Sequence, residues 1–96
     1  MTNLSKDLNA TIVELNEVYN EGSFVDYIND ALEVEYAMSL SGGLQGVELL
    51  VTSGGPNVFV NTRTAKIELY ANGEHLEHEL QDVVLEAIEQ ALMEMI

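Results

Sequence analysis

The chain contains no cysteine, and only three of its 96 residues are Lys or Arg. The first absence removes disulfides, thiolate metal sites and a cysteine nucleophile. The second removes the basic patch that autonomous nucleic-acid binding requires, so no direct contact with nucleic acid is expected. It also disfavours an anionic membrane surface. No apolar run approaches the ~20 residues of a transmembrane helix. The first residues, Met1 to Asp7, lack an apolar signal-peptide core. These absences point to the cytoplasm. Acid is what the sequence has: 17 Asp and Glu give a formal net charge of −14. At 47% hydrophobic residues the chain is too apolar for a disordered acidic tail. The reading is one domain, 1–96, folded around a core with its charge outside, weakened by self-repulsion.

Periodicity divides the chain. Leu8, Ile12, Leu15, Val18 and Tyr19, together with Leu4, recur at helical steps and predict a helix over about 4–19. Gly22 breaks it, and Ser23 can cap a short helix over about 24–32, with Phe24, Ile28, Ala31 and Leu32 inward. From Glu33 the period becomes two. Val34, Tyr36, Met38 and Leu40 alternate with Glu35, Ala37 and Ser39 as in a half-buried strand. Further strands are expected over 46–52, 58–61 and 65–71, separated by turns at Gly54-Gly55-Pro56-Asn57 and Thr62-Arg63-Thr64. Asn72-Gly73 ends the sheet. Leu76, Leu80, Val83, Val84, Ala87, Ile88, Ala91, Leu92 and Met95 then predict one long helix over 74–95. The expected fold is α+β in two layers. A four-stranded antiparallel sheet carries an N-terminal helix pair and a long C-terminal helix on one face.

Motifs for chemistry are scarce. On a helix, His75 and His78 would be neighbours beside Glu74, Glu77 and Glu79. A catalytic zinc takes three protein ligands, and the sequence supplies no HExxH and no third histidine. No GxSxG elbow is present, and neither Gly42-Gly43 nor Gly54-Gly55 precedes Lys-Ser or Lys-Thr as a phosphate loop would. The carboxylates are scattered over every element rather than paired in one cleft. The expectation is a protein that is not an enzyme, with no cofactor and no bound metal.

The distribution of acid is more informative. Projected as a helix, the last segment places Glu79, Asp82, Glu86 and Glu89 opposite its apolar stripe, with no Lys or Arg to compensate. On the sheet, Glu35, Glu48 and Glu68 project from the outer face beside Leu50, Phe59 and Tyr70. Apolar groups rimmed by carboxylates form the pattern of a binding surface. Three plainer readings stand beside this one: charge that serves only solubility, a further element covering the outer face, or a homodimer through it.

The stretch from Gly54 to Thr62, followed by Ala65 to Tyr70, resembles a hairpin pattern in small acidic proteins of phages and mobile elements. Size, charge and a cysteine-free α+β build are similar to those of anti-CRISPR and anti-restriction proteins. That resemblance implies a stoichiometric inhibitor acting in the host cytoplasm. Its carboxylates would occupy the basic groove of a CRISPR or restriction nuclease complex. Duplex DNA presents one charge per ~1.7 Å of axis. Fourteen net charges on a domain roughly 25–30 Å across approach that density. Hence the leading expectation is a nucleic-acid mimic that binds a basic protein surface. The alternative is a small interaction module that uses Leu50, Phe59 and Tyr70.

Overall fold

The computed structural model describes residues 4–54 and 56–95. Two expectations touch residues outside that set: Gly55 in the glycine-rich turn, and the extreme N-terminus. The architecture is α+β, with three helices and a five-stranded antiparallel sheet. Helices α1 (Leu4–Glu21) and α2 (Phe24–Asp30) precede β1 (Glu33–Met38), β2 (Leu44–Thr52), β3 (Asn57–Asn61), β4 (Lys66–Ala71) and β5 (Glu74–Glu79); α3 (Asp82–Met95) follows. The strands form a meander in the order β1-β2-β3-β4-β5, every neighbouring pair antiparallel.

Ser23 caps α2, its Oγ accepting the Asp26 N–H at 3.4 Å, and Ala31 leaves the helix in an extended conformation. The core forms between helices and sheet. Val47 and Leu49 of β2, Val58 and Val60 of β3, and Ile67 and Leu69 of β4 point to one side. There they meet Leu15 of α1, Phe24 and Ile28 of α2, and Val84, Ile88, Ala91 and Leu92 of α3. Leu80, in the β5–α3 connection, closes that core.

The expected four strands are corrected to five. Residues 74–79 continue the sheet as β5, and the final helix begins at Asp82. The cause is the Asn72-Gly73 dipeptide, which reverses the chain where it was expected to end the sheet. Asn72 and Gly73 have φ of 50° and 79°, the positive pair that a two-residue type I′ hairpin demands. Leu76 fits both periods. It would begin a helical stripe with Leu80, yet it also faces Leu69 across the ladder. Pairing of β5 with β4 decides between them.

Strand β1 is also shorter than its alternation suggests. It stops at Met38, and Leu40 lies in the following turn, fully exposed. Tyr36 and Met38, on the core side of the sheet, are exposed as well. The half-buried row expected of β1 is therefore half-buried only at Val34.

Candidate partner-binding face

The side of the sheet away from the helices contributes nothing to the buried cluster. Strand register arranges its side chains in rows. Glu35, Glu48, Asn61, Lys66 and Glu79 are successive partners across the five strands. Glu33, Leu50, Phe59, Glu68 and Glu77 form the next row, and Asn57, Tyr70 and His75 a third. Neighbouring strands lie ~4.8 Å apart, so Glu35 and Glu48 face each other directly, as do Glu68 and Glu77. Like charges so placed oppose folding. The arrangement therefore costs the fold some stability.

The apolar part is ordered by ring contacts. Phe59 and Tyr70 meet edge to face with centroids 5.9 Å apart, and His75 stacks on Tyr70 at 4.5 Å with planes 2° apart. The Tyr70 hydroxyl donates to Glu68 Oε2 at 3.4 Å. Partial burial raises the Tyr70 phenol above its ordinary pKa, and the neighbouring Glu68 carboxylate adds to the rise. Beside the rings lies a surface depression of about 630 Å³ lined by Ser53, Asn57, Tyr70, Asn72 and His75.

The polar part is held by local bonds. Asn61 Nδ2 donates to Glu48 Oε2 at 3.1 Å. Asn61 Oδ1 accepts the backbone N–H groups of Arg63 and Thr64, which shapes the turn after β3. That turn is anchored by buried Thr62. The Val47 N–H donates to Thr62 Oγ1 at 2.9 Å, and the hydroxyl in turn donates to the Val47 carbonyl. Gly46 makes room for this, since a Cβ there would lie 2.6 Å from Arg63 Cγ and 2.9 Å from Thr62 Oγ1. Arg63 is thereby placed in a depression of about 220 Å³ that Glu35, Glu48 and Asn61 also line.

Lys66 lies among the acids, with Nζ 2.8 Å from Glu77 Oε1. Their hydrogen bond holds the Glu77 carboxyl below its ordinary pKa and lifts the Lys66 ammonium above its own. His75 Nε2 is 3.6 Å from Glu77 Oε2. Donor atoms of Glu68, His75 and Glu77 lie within 4.8 Å of one another. A divalent cation seated there would share Glu77 with Lys66, which already holds its Oε1.

Glu35, Glu48, Glu68, Leu50, Phe59 and Tyr70 share this face as expected from their alternation. Glu79 does not belong to the α3 stripe. It is on β5, opposite Lys66. His75 and His78 are not helical neighbours either. On a strand, residues three apart point to opposite faces; His75 stacks on Tyr70, whereas His78 faces Ile67's side. Asp82, Glu86 and Glu89 lie along the exposed side of α3, turned away from its buried residues Val84, Ile88, Ala91 and Leu92. They form a second acidic face, on the far side of the molecule from the sheet surface. Glu33 and Asn61 complete the sheet face without having been singled out from sequence, and His75 and Glu77, considered there only on a helix, join it through β5. Reading Asn72-Gly73 as a hairpin turn would have placed Glu77 opposite Glu68.

The longest extent of the described chain is 44 Å. Divided among 14 net charges, that is one per roughly 3 Å, the density of a single nucleic-acid strand (3.4 Å) rather than a duplex. No helix of the described residues is long and apolar enough to cross a membrane. Comparison with protein families, curated proteins and solved structures found no match to the chain.

Proposed function

We propose that this protein is a non-enzymatic inhibitor. Its outer sheet face occupies a Lys/Arg-lined nucleic-acid-binding surface on a partner protein, with a bacterial CRISPR or restriction nuclease complex as the expected target. One observation carries the reading. The outer face is uncovered, and it combines two groups of facing carboxylates with a fixed aromatic cluster. Glu33, Glu35 and Glu48 form one group, and Glu68, Glu77 and Glu79 the other. A groove evolved for phosphates supplies cations at similar intervals, and attraction between opposite fields speeds association. Phe59 and Tyr70 would add apolar contact at the centre, where binding energy concentrates.

The ordered Phe59–Tyr70–His75 stack also favours a second reading. In it the rings carry binding to an ordinary protein partner and the charge serves only solubility. Inhibition assays on a panel of such nuclease complexes separate the two. DNA binding would be followed by fluorescence anisotropy as the protein is added. Nucleic-acid mimicry predicts displacement at about one protein per binding site, weakening as salt rises. Glu35→Lys, Glu48→Lys and Glu68→Lys together should abolish it, and Asp82→Lys, Glu86→Lys and Glu89→Lys should not. If the α3 triple change abolishes inhibition and the sheet change does not, the assigned face is wrong. If only Phe59→Ala and Tyr70→Ala matter, at any salt, the second reading replaces the first.

A further inference from the structure

The two edges of the sheet are built differently. β5 reads Glu74-His75-Leu76-Glu77-His78-Glu79, so both faces of that edge carry polar or charged groups, which discourages strand addition. β1 has no such protection on its core side, where Val34, Tyr36 and Met38 project. Val34 and Tyr36 face the fully buried Leu49 and Val47 of β2 and Met38 the half-buried Leu44, yet Tyr36 is 45% exposed and Met38 55%. The helix layer thus stops one strand short and leaves an apolar shelf at the edge.

The backbone of those same three residues is also unpaired by the sheet. Val47 directs both its N–H and its C=O to Thr62, beyond the end of β3. Peptide groups alternate sides along a strand, so Gly46 and Glu48 turn toward β1. Their partners Ala37 and Glu35 turn toward β2. Val34, Tyr36 and Met38 therefore aim N–H and C=O outward, away from the sheet. The register irregularity at Ala37/Met38 places its extra residue, Gln45, on β2. The outer edge of β1 stays regular.

We propose that β1 pairs antiparallel with β1 of a second copy of this chain, about a two-fold axis through Tyr36. Only Val34, Tyr36 and Met38 can exchange hydrogen bonds across that edge, and charge selects the register. Centred on Tyr36, the pairing sets Val34 opposite Met38 of the second copy and Tyr36 opposite its own counterpart. On the other face Glu35 meets Ala37 and Glu33 meets Ser39, so no carboxylates are opposed. A register centred on Glu35 would set Glu35 against Glu35. One centred on Ala37 would pair Val34 with Leu40, outside the strand. The Tyr36 register buries both apolar shelves together and merges the two acidic outer faces into one continuous surface. The association is independent of what that surface binds.

Sedimentation equilibrium of the full chain at low and high salt tests the pairing. A reversible monomer–dimer equilibrium that tightens with salt is expected, because screening reduces repulsion between two strongly acidic copies. Tyr36→Thr combined with Met38→Thr keeps good strand formers and should weaken the dimer by about tenfold or more. Phe59→Ala, on the opposite face, should leave it unchanged. Amide exchange on the parent chain avoids any question of variant folding. Protection at Val34, Tyr36 and Met38 should rise with protein concentration, while that at Glu35 stays constant. A chain that stays monomeric at high salt at every concentration overturns the proposal. So does a dimer indifferent to the Tyr36/Met38 change, or concentration-dependent protection confined to other residues.

Discussion

Thr62→Val tests whether one buried hydroxyl sets the geometry of the acidic face. The substitution keeps the β-branched shape and exchanges the hydroxyl for a methyl. Thr62 is 6% exposed and Val47 is fully buried, so water cannot replace what is lost. The Val47 carbonyl retains the Thr62 N–H at 2.9 Å. The Val47 N–H retains nothing, because Thr62 Oγ1 is its partner. A buried donor left unpaired costs about 1–3 kcal/mol. The added methyl returns up to about 0.8 kcal/mol through burial. With the methyl fully buried the net loss is about 0.2–2 kcal/mol, a fall in melting temperature of roughly 1–15 °C for a domain of this size. Urea unfolding followed by far-UV circular dichroism would measure it. Thr62→Ser is the control, since it keeps the hydroxyl and should lose less than Val does. The Val47 amide should also become the most altered in exchange, and Arg63 should shift relative to Glu35 and Glu48. A Val variant as stable as the parent or more so, or a Ser variant worse than Val, would refute the reasoning.

Other consequences are as specific. Gly46→Ala should destabilise by about 1–3 kcal/mol, because its Cβ overpacks the bonded Thr62 hydroxyl; unchanged urea stability would count against this. The Tyr27 hydroxyl is buried without a hydrogen-bond partner among the described residues, so Tyr27→Phe should stabilise by about 1 kcal/mol in the same assay. Burial first, and the nearby Glu14 charge second, raise the Tyr27 phenol well above its ordinary value of 10.0. A raised folded pKa means stability is full below pH 10 and falls as pH climbs toward the folded value. Absorbance at 295 nm should show one tyrosine ionising only with unfolding, and the Phe variant should lack that phase. Glu35→Lys replaces a facing pair of like charges with an attractive one, and should add about 0.2–1 kcal/mol at low salt, less at high salt.

Much of this protein is legible without coordinates. The absence of cysteine removes disulfide and thiolate chemistry, and three Lys and Arg against 17 acids give the surface one sign of charge. Period and punctuation locate both N-terminal helices and four strands to within a few residues. Alternation alone sends Glu35, Glu48, Glu68, Leu50, Phe59 and Tyr70 to one sheet face. Such inferences succeed because burial periodicity is local and each side chain's face follows from its parity within a strand.

Tertiary structure decided what local pattern leaves open. Leu76 satisfies both a helical stripe and a strand row, so residues 74–79 became β5 only through hairpin pairing with β4. That pairing moved Glu79 off the helix, separated His75 from His78, and brought Glu77 opposite Glu68 and beside Lys66. The separation of the α3 acids from those of the sheet likewise depends on which side of the sheet the helices cover. The exposure of Tyr36 and Met38 could not be read from alternation, which fixes the face a residue points to but not whether anything packs there. A helix layer narrower than its sheet leaves β1 uncovered, and only the assembled layers set their relative widths.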